Sequence, residues 1–256
     1  MIRNRVILTP YFLDEAEPEL EDLAGPDWYM NKPELPPGDR MLRISTLHQG
    51  IADFTESSLL AGERPVSYAG DCCAVIGVQA GLVRAGLETT LLWLDAHGDF
   101  NTWETTPSGF LGGMPLAMLV GRGEQTLLEA LDIQPLAEER VILTDARDLD
   151  PGEDKAVAES GVLHLRNPLE LLKRELPEGQ LYVHFDVDII NPDEAPAVSY
   201  PASGGPSADE LDRIFGRLVK SEQVAAASIS SWNPELDGDL ETQRLCLRLF
   251  NRLIGD

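Results

Sequence analysis

The chain has 256 residues, of which 43% are apolar, and 20 lysines and arginines against 44 aspartates and glutamates leave a formal net charge of −24. This length and apolar share suit one α/β domain of the larger kind with a packed core. The acidity argues against nucleic acid or an anionic membrane surface as a partner.

The elements follow in chain order. Residues 5–8 read as a first strand. Residues 14–22 hold six acids and no base, with Pro18 inside, and read as a solvated loop or a frayed helix start. Helical spacing of apolar residues predicts a helix over 42–60, and 65–69 reads as a strand. Gly70-Asp71-Cys72-Cys73 is the turn after it, and 74–85 reads as a buried helix of small residues closed by Gly86. The next strand covers 90–94, and a polar, glycine-rich loop covers 101–113. Helical stretches are expected at 114–120 and 124–131, and a strand at 140–143. Pro151 at a first helical position starts another helix. A short strand at 162–165 and a helix at 168–176 precede a strand at 181–185. Ser207 opens a helix as N-cap, with Glu210 completing a capping box. A strand at 224–229 and a helix at 240–254 close the chain. Strands alternating with helices indicate a mostly parallel sheet covered on both faces, in a single domain.

No apolar run approaches the length of a membrane span. The amino terminus, Met1-Ile2-Arg3-Asn4-Arg5, does not read as a signal peptide. Cys72 and Cys73 are neighbours, and Cys246 makes the count odd, which is a poor disulfide framework. A reducing cytoplasm is the expected compartment.

The apolar strand at 90–94 runs into Asp95-Ala96-His97-Gly98-Asp99. On an extended chain, residues two apart share a side, so Asp95, His97 and Asp99 converge if the backbone stays extended. Phe185-Asp186-Val187-Asp188 repeats the arrangement. Aspartates at the ends of apolar strands are costly unless something positive meets them, and divalent cations would do so. Polar clusters fall repeatedly just after strands, where open α/β sheets bind ligands.

These residues resemble the arginase/agmatinase ureohydrolases, which are two-manganese enzymes. Asp95-Ala96-His97-Gly98-Asp99 matches that family's Asp-Ala-His-x-Asp, and Phe185-Asp186-Val187-Asp188 with Pro192 resembles its Ser-Phe-Asp-Val-Asp-x-x-Asp-Pro. Gly70-Asp71-Cys72 is similar to its Gly-Gly-Asp-His, and Ser230-Ser231-Trp232-Asn233-Pro234 to its Glu-Val-Asn-Pro segment. The resemblance implies a three-layer α/β/α fold and a homo-oligomer, trimer or hexamer. It implies two divalent metal ions, manganese by family, held by Cys72, Asp95, His97, Asp99, Asp186 and Asp188, with Asp95 and Asp186 bridging. Arg147-Asp148-Leu149-Asp150-Pro151-Gly152-Glu153 matches the segment that holds the amino-acid end of a small substrate. Head-group contacts pass to Asn101, Ser108, Asp150 and Glu153. The implied activity is hydrolysis of a linear C–N bond in a guanidino, hydroxyguanidino or related amino-acid derivative by a metal-bridging hydroxide. Asp99 would be the proton acceptor.

The departures lie at the reacting end. Gly112 stands where the family has a proton-shuttling His, Ser231 where it has the Glu that grips the guanidinium, and Tyr200 at a nearby Thr position. Losing that carboxylate removes a charge-assisted contact and suits a less basic group. Cys72 stands where a ligating His is usual. As a thiolate it favours zinc or iron over manganese; alternatively it is an inert buried thiol. His184, at the family's Ser position, shares a strand face with Asp186. It reads as a partner behind the metal ligands, a substitute proton carrier, or a satisfied core histidine. The broken pattern leaves a second reading open, a catalytically lapsed ligand-binding or regulatory protein on the same fold.

Overall fold

The computed structural model describes residues 2–255; Met1 and Asp256 lie outside the described residues. The chain divides into two compact units, Met1–Glu88 with Asp99–Ala137 and Thr89–Gly98 with Glu138–Asp256.

In the first unit, β1 (Asn4–Thr9) pairs in parallel with β4 (Tyr29–Met30) on one side and β5 (Arg64–Ala69) on the other. β2 (Tyr11–Phe12) and β3 (Glu15–Ala16) form a small antiparallel pair. The acidic stretch is partly ordered as a 3-10 helix, Pro18–Leu23, which proline can open because its missing N–H would have no partner there. Asp14 departs from the solvated reading: its side chain is 4% exposed and is paired with Arg40 and Arg43. The helix expected over 42–60 is α1 (Arg40–Leu60), started earlier by Asp39, whose carboxylate accepts from Met41 N and Leu42 N. α2 (Val75–Arg84) packs on α1. Gly77 and Gly81 are one turn apart on the contact face, and a side chain at either would collide with α1. This is why the segment is rich in small residues. α3 (Pro115–Leu119) and α4 (Thr126–Ala130) are shorter than the stretches expected for them.

The second unit carries β6 (Thr89–His97), β7 (Val141–Asp148), β8 (Leu163–Leu165), β9 (Gln180–Asp186) and β10 (Val224–Ser230), all parallel, in the order β10-β9-β6-β7-β8. β6 is buried from Thr89 to Ala96 on both faces, as its unbroken apolar run requires. β6 and β7 both outrun the stretches expected for them, because strand pairing continues into the polar residues: Asp95 pairs with Asp145 and His97 with Asp148. α5 (Glu153–Ala158) begins two residues after Pro151, with Gly152 at φ +92° as its N-cap, so proline precedes the helix instead of opening it. The helix expected over 168–176 is only a 3-10 turn, Pro168–Leu172. α6 (Ala208–Lys220) has the full capping box between Ser207 and Glu210, and α7 (Glu241–Ile254) packs beside it. Trp93, Tyr182, Phe185, Phe215 and Phe250 fill the core of this unit.

Candidate metal centre

The geometry follows from the register of three parallel strands in the second unit. Trp93 of β6 lies opposite His184 of β9, and Ser228 and Ser230 of β10 lie opposite His184 and Asp186. Side chains two apart share a face, so Asp95, His184, Asp186, Ser228 and Ser230 gather at the carboxyl ends of these strands. After Asp186 the chain leaves the strand for a 3-10 turn, Val187–Ile189. Asp186 caps that turn, its Oδ1 accepting from Asp188 N at 3.0 Å. The turn returns Asp188 to the cluster, where its Oδ1 accepts from Ala96 N at 3.2 Å and its Oδ2 lies 3.0 Å from His97 Nδ1.

Each carboxylate is fixed by donors from the protein. Asp95 accepts from Trp93 Nε1 at 3.0 Å and from His97 N at 2.7 Å. Asp186 Oδ2 accepts from the hydroxyls of Ser230 and Ser231. Two sets of three ligand-type atoms result, Asp95 with His97 and Asp188, and Asp95 with His184 and Asp186; within each set the atoms lie within 4.8 Å of one another. Asp95 belongs to both.

The electrostatics show what such a cluster lacks. Burial, followed by the charges of Asp188 and Asp95, pushes the Asp186 carboxyl well up. Burial and then Asp95 raise Asp188 to about 6. His97 is driven down by burial, but the hydrogen bonds and charges of Asp188 and Asp95 together outweigh that and hold it far above its ordinary value. Burial likewise works to raise Asp95, yet the contacts with His97 leave it lowered. Three buried carboxylates thus lie together, and His97 meets two of them, Asp95 and Asp188. Arg147 is nearby, but its guanidinium is committed to Asp145 and to the carbonyls of Asp188, Ile189, Ala202 and Ser203. A divalent cation would supply the missing positive charge. One atom also calls for a ligand: His184 Nε2 is buried and has no hydrogen-bond partner among the described residues. The donor set fits divalent metal.

The other expected residues have these positions. In the first unit, Cys72 opens a buried 3-10 turn, Cys72–Ala74, and its thiol donates to Gly112 O at 3.5 Å. Asp99 is buried with φ +49°, so the chain is not extended there and the simple alternation from Asp95 does not reach it. Asn101 is buried, its Oδ1 accepting from Thr105 Oγ1, and the Ser108 hydroxyl accepts from Phe110 N in an exposed turn. In the second unit, Glu153 is buried at the start of α5, with its Oε2 accepting from Asp150 N at 2.9 Å. Tyr200 is half exposed. Ser231, at φ +72°, turns its hydroxyl onto Asp186. Cys72, Cys73 and Cys246 are all buried and none is in a disulfide among the described residues.

A family model described as "Arginase family" matches residues 20–255. The chain belongs to the arginase family. It is 30% identical to an arginase of Bacillus caldovelox over 86% of this chain and 79% of that one. It is 32% identical to an arginase of Bacillus subtilis (strain 168) over 92% of this chain and 84% of that one. A crystal structure of arginase from Bacillus subtilis superposes with a TM-score of 0.82 at 26% identity, covering 99% of each chain. The expected α/β, arginase-like fold with a mostly parallel sheet is therefore the fold of this chain.

Several residues that shape this arginase-family cluster were not apparent from the motifs. Trp93 anchors Asp95, Ser230 anchors Asp186, and Ser228 with Tyr182 lies behind His184. Alternation along Ser228-Ile229-Ser230 was the available signal, but it acquires meaning only from the register with β9. Gly98 is another such residue. A Cβ there would lie 2.6 Å from Leu149 and 2.7 Å from the Glu153 carboxyl, so Gly98 and the 147–153 segment meet where an added side chain would force a neighbour to shift.

Proposed function

We propose that the chain is a metal-dependent hydrolase that cleaves a linear C–N bond in a guanidino, hydroxyguanidino or related small amino-acid derivative. The observation that carries this reading is the pair of ligand sets sharing Asp95, built from buried and individually anchored carboxylates. Asp95, His97, Asp186 and Asp188 would hold two divalent ions. The family motifs assign Cys72 and Asp99 to the same task. Manganese is the family expectation, and zinc or iron would follow if Cys72 acts as a thiolate. Ions bound there supply Lewis acidity and lower the pKa of water. The protein's own part is orientation. Trp93 Nε1 and His97 N fix Asp95, Ser230 and Ser231 fix Asp186, and the Ala96 amide fixes Asp188. Asp99 is assigned the proton from water. Asn101, Ser108, Asp150 and Glu153 are assigned the amino-acid end of the substrate, with Tyr200 and Ser231 at the reacting end.

Ser231 bears on the substrate. Its hydroxyl proton is engaged by Asp186, so only its lone pairs would face a bound group. A neutral acceptor in place of a carboxylate suits a group less basic than guanidinium. The interleaving of the two units along the chain supports a single arginase-like domain, and the buried thiols of Cys73 and Cys246 are compatible with a cytoplasmic setting. A trimer or hexamer follows from the family.

The test is a panel of guanidino, hydroxyguanidino, ureido and amide amino-acid derivatives, assayed with metal-loaded protein. Turnover that disappears in Asp186→Ala is expected. Tight binding without turnover by the loaded wild-type protein would replace this reading with a regulatory binding protein.

A further inference from the structure

His184 has no role among the expected metal ligands, yet its surroundings are those of one. The residue is 1% exposed, and its ring lies against Trp93 at 4.5 Å between centroids, tilted by 57°. Trp93 is the residue whose Nε1 holds Asp95, so one side chain positions both a carboxylate and an imidazole of the same set. His184 Nδ1 lies 3.0 Å from Ser228 Oγ, which lies 2.8 Å from Tyr182 OH. Nδ1–H can donate to Ser228 Oγ, whose hydroxyl then donates to the Tyr182 oxygen. With N–H at Nδ1, Nε2 carries a bare lone pair. A ligating histidine typically has this arrangement, one ring nitrogen donating to a protein acceptor and the other facing the metal.

Nε2 has no hydrogen-bond partner among the described residues, and His184 forms with Asp95 and Asp186 a set whose ligand atoms lie within 4.8 Å of one another. The parallel with His97 is close, since that imidazole forms the other set with Asp95 and Asp188. We propose that His184 is a direct ligand, through Nε2, of a divalent metal ion held with Asp95 and Asp186. Ser228 and Tyr182 act as positioning residues that fix its tautomer. Each of the two ions then receives one imidazole and two carboxylates, with Asp95 common to both. A nitrogen and carboxylate set of this kind suits zinc, cobalt or iron as well as manganese. The proposal rests on the metal-dependent reading above.

The test uses the full chain stripped of metal and titrated with Zn(II), with stoichiometry read by elemental analysis and affinity by calorimetry. Wild-type protein is expected to bind two ions. His184→Gln is expected to bind one with wild-type affinity and to weaken the second by more than the 10–100-fold typical of losing a residue behind a ligand. Ser228→Ala should weaken the second ion by less than His184→Gln does. A second readout needs no variant. In ¹⁵N-histidine-labelled wild-type protein, the His184 Nε2 resonance should move on Zn(II) addition from the bare-nitrogen range to the metal-bound range. His184→Gln that binds two ions with unchanged affinity overturns the proposal while leaving the metallohydrolase reading intact. If that variant does not fold, an unmoved Nε2 resonance in the wild type overturns it equally. A wild-type chain that binds no divalent ion overturns both.

Discussion

Gly98→Ala tests the link between the metal motif and the substrate segment. A Cβ at this position would lie 2.6 Å from Leu149 Cδ2 and 2.7 Å from the Glu153 carboxyl. The first contact is about 0.8 Å short of the 3.4 Å at which ordinary contact begins, well inside the repulsive wall. Glu153 cannot simply swing away. It is buried, its Oε2 accepts from Asp150 N, and its amide donates back to Asp150 O. Overpacking of this kind costs about 1–3 kcal/mol, and displacing the carboxylate from the Asp150 amide adds about 1 kcal/mol. A loss of about 2–4 kcal/mol corresponds to a fall in Tm of roughly 4–16 °C for a chain of this size. Gly238→Ala, where an added Cβ meets nothing within 4 Å, is the control and should leave Tm nearly unchanged. Thermal unfolding followed by circular dichroism measures both. The double variant Gly98→Ala with Glu153→Ala should be less destabilised than the sum of the singles by about 1 kcal/mol or more, because the second change removes one colliding group. A Gly98→Ala Tm within the error of wild type, or strict additivity in the cycle, would refute the reasoning.

Three further outcomes are expected. Ser207→Ala removes the N-cap of α6, where Ser207 Oγ accepts from Glu210 N and Glu210 Oε2 accepts from Ser207 N, and should cost about 1 kcal/mol in urea unfolding. Asp71→Ala leaves the Leu13 and Cys73 amides, which its carboxylate accepts from at 2.6 and 2.8 Å, without that acceptor in a buried turn. A loss of about 2–4 kcal/mol is expected in the same assay. Binding of a divalent ion should release protons from metal-free protein at neutral pH. Burial lowers His97, but Asp188 and Asp95 outweigh it and raise its pKa to about 12, so the ring carries a proton that ligation must displace. Because this pKa is raised, His97 stabilises the metal-free fold fully below its ordinary value of 6.5, and that contribution is lost as pH rises towards 12. Metal affinity should therefore increase with pH above neutrality. Calorimetry in buffers of different ionisation enthalpy counts the protons, and a buffer-independent heat would contradict the charged state of His97.

The fold class was legible in the sequence, and Asp95, His97, Asp186 and Asp188, singled out by their motifs, are brought together by the fold. Apolar runs that end in aspartate mark buried strands with their polar ends together, and this logic is local enough to read from Leu91 to His97 and from Leu181 to Asp186. The capping box at Ser207 and Glu210 was legible for the same reason, since it involves four consecutive residues. Alternation alone does not describe the places where the backbone turns, although Asp188 still joins the cluster. Asp188 returns to the cluster through a 3-10 turn, and Asp99 has φ +49°. Side-chain roles that depend on a neighbouring strand were decided by tertiary structure alone. The sequence left His184 open among three readings, because its face on β9 was known but its neighbours were not. Register with β6 and β10 supplied Trp93, Ser228 and, through Ser228, Tyr182, and showed an Nε2 lone pair with no partner among the described residues. Ser231 was legible as a missing carboxylate, but only the fold turned its hydroxyl onto Asp186. Strand periodicity is a property of one chain segment, whereas a ligand set is a property of several segments held in register. The second can be read only after they pair.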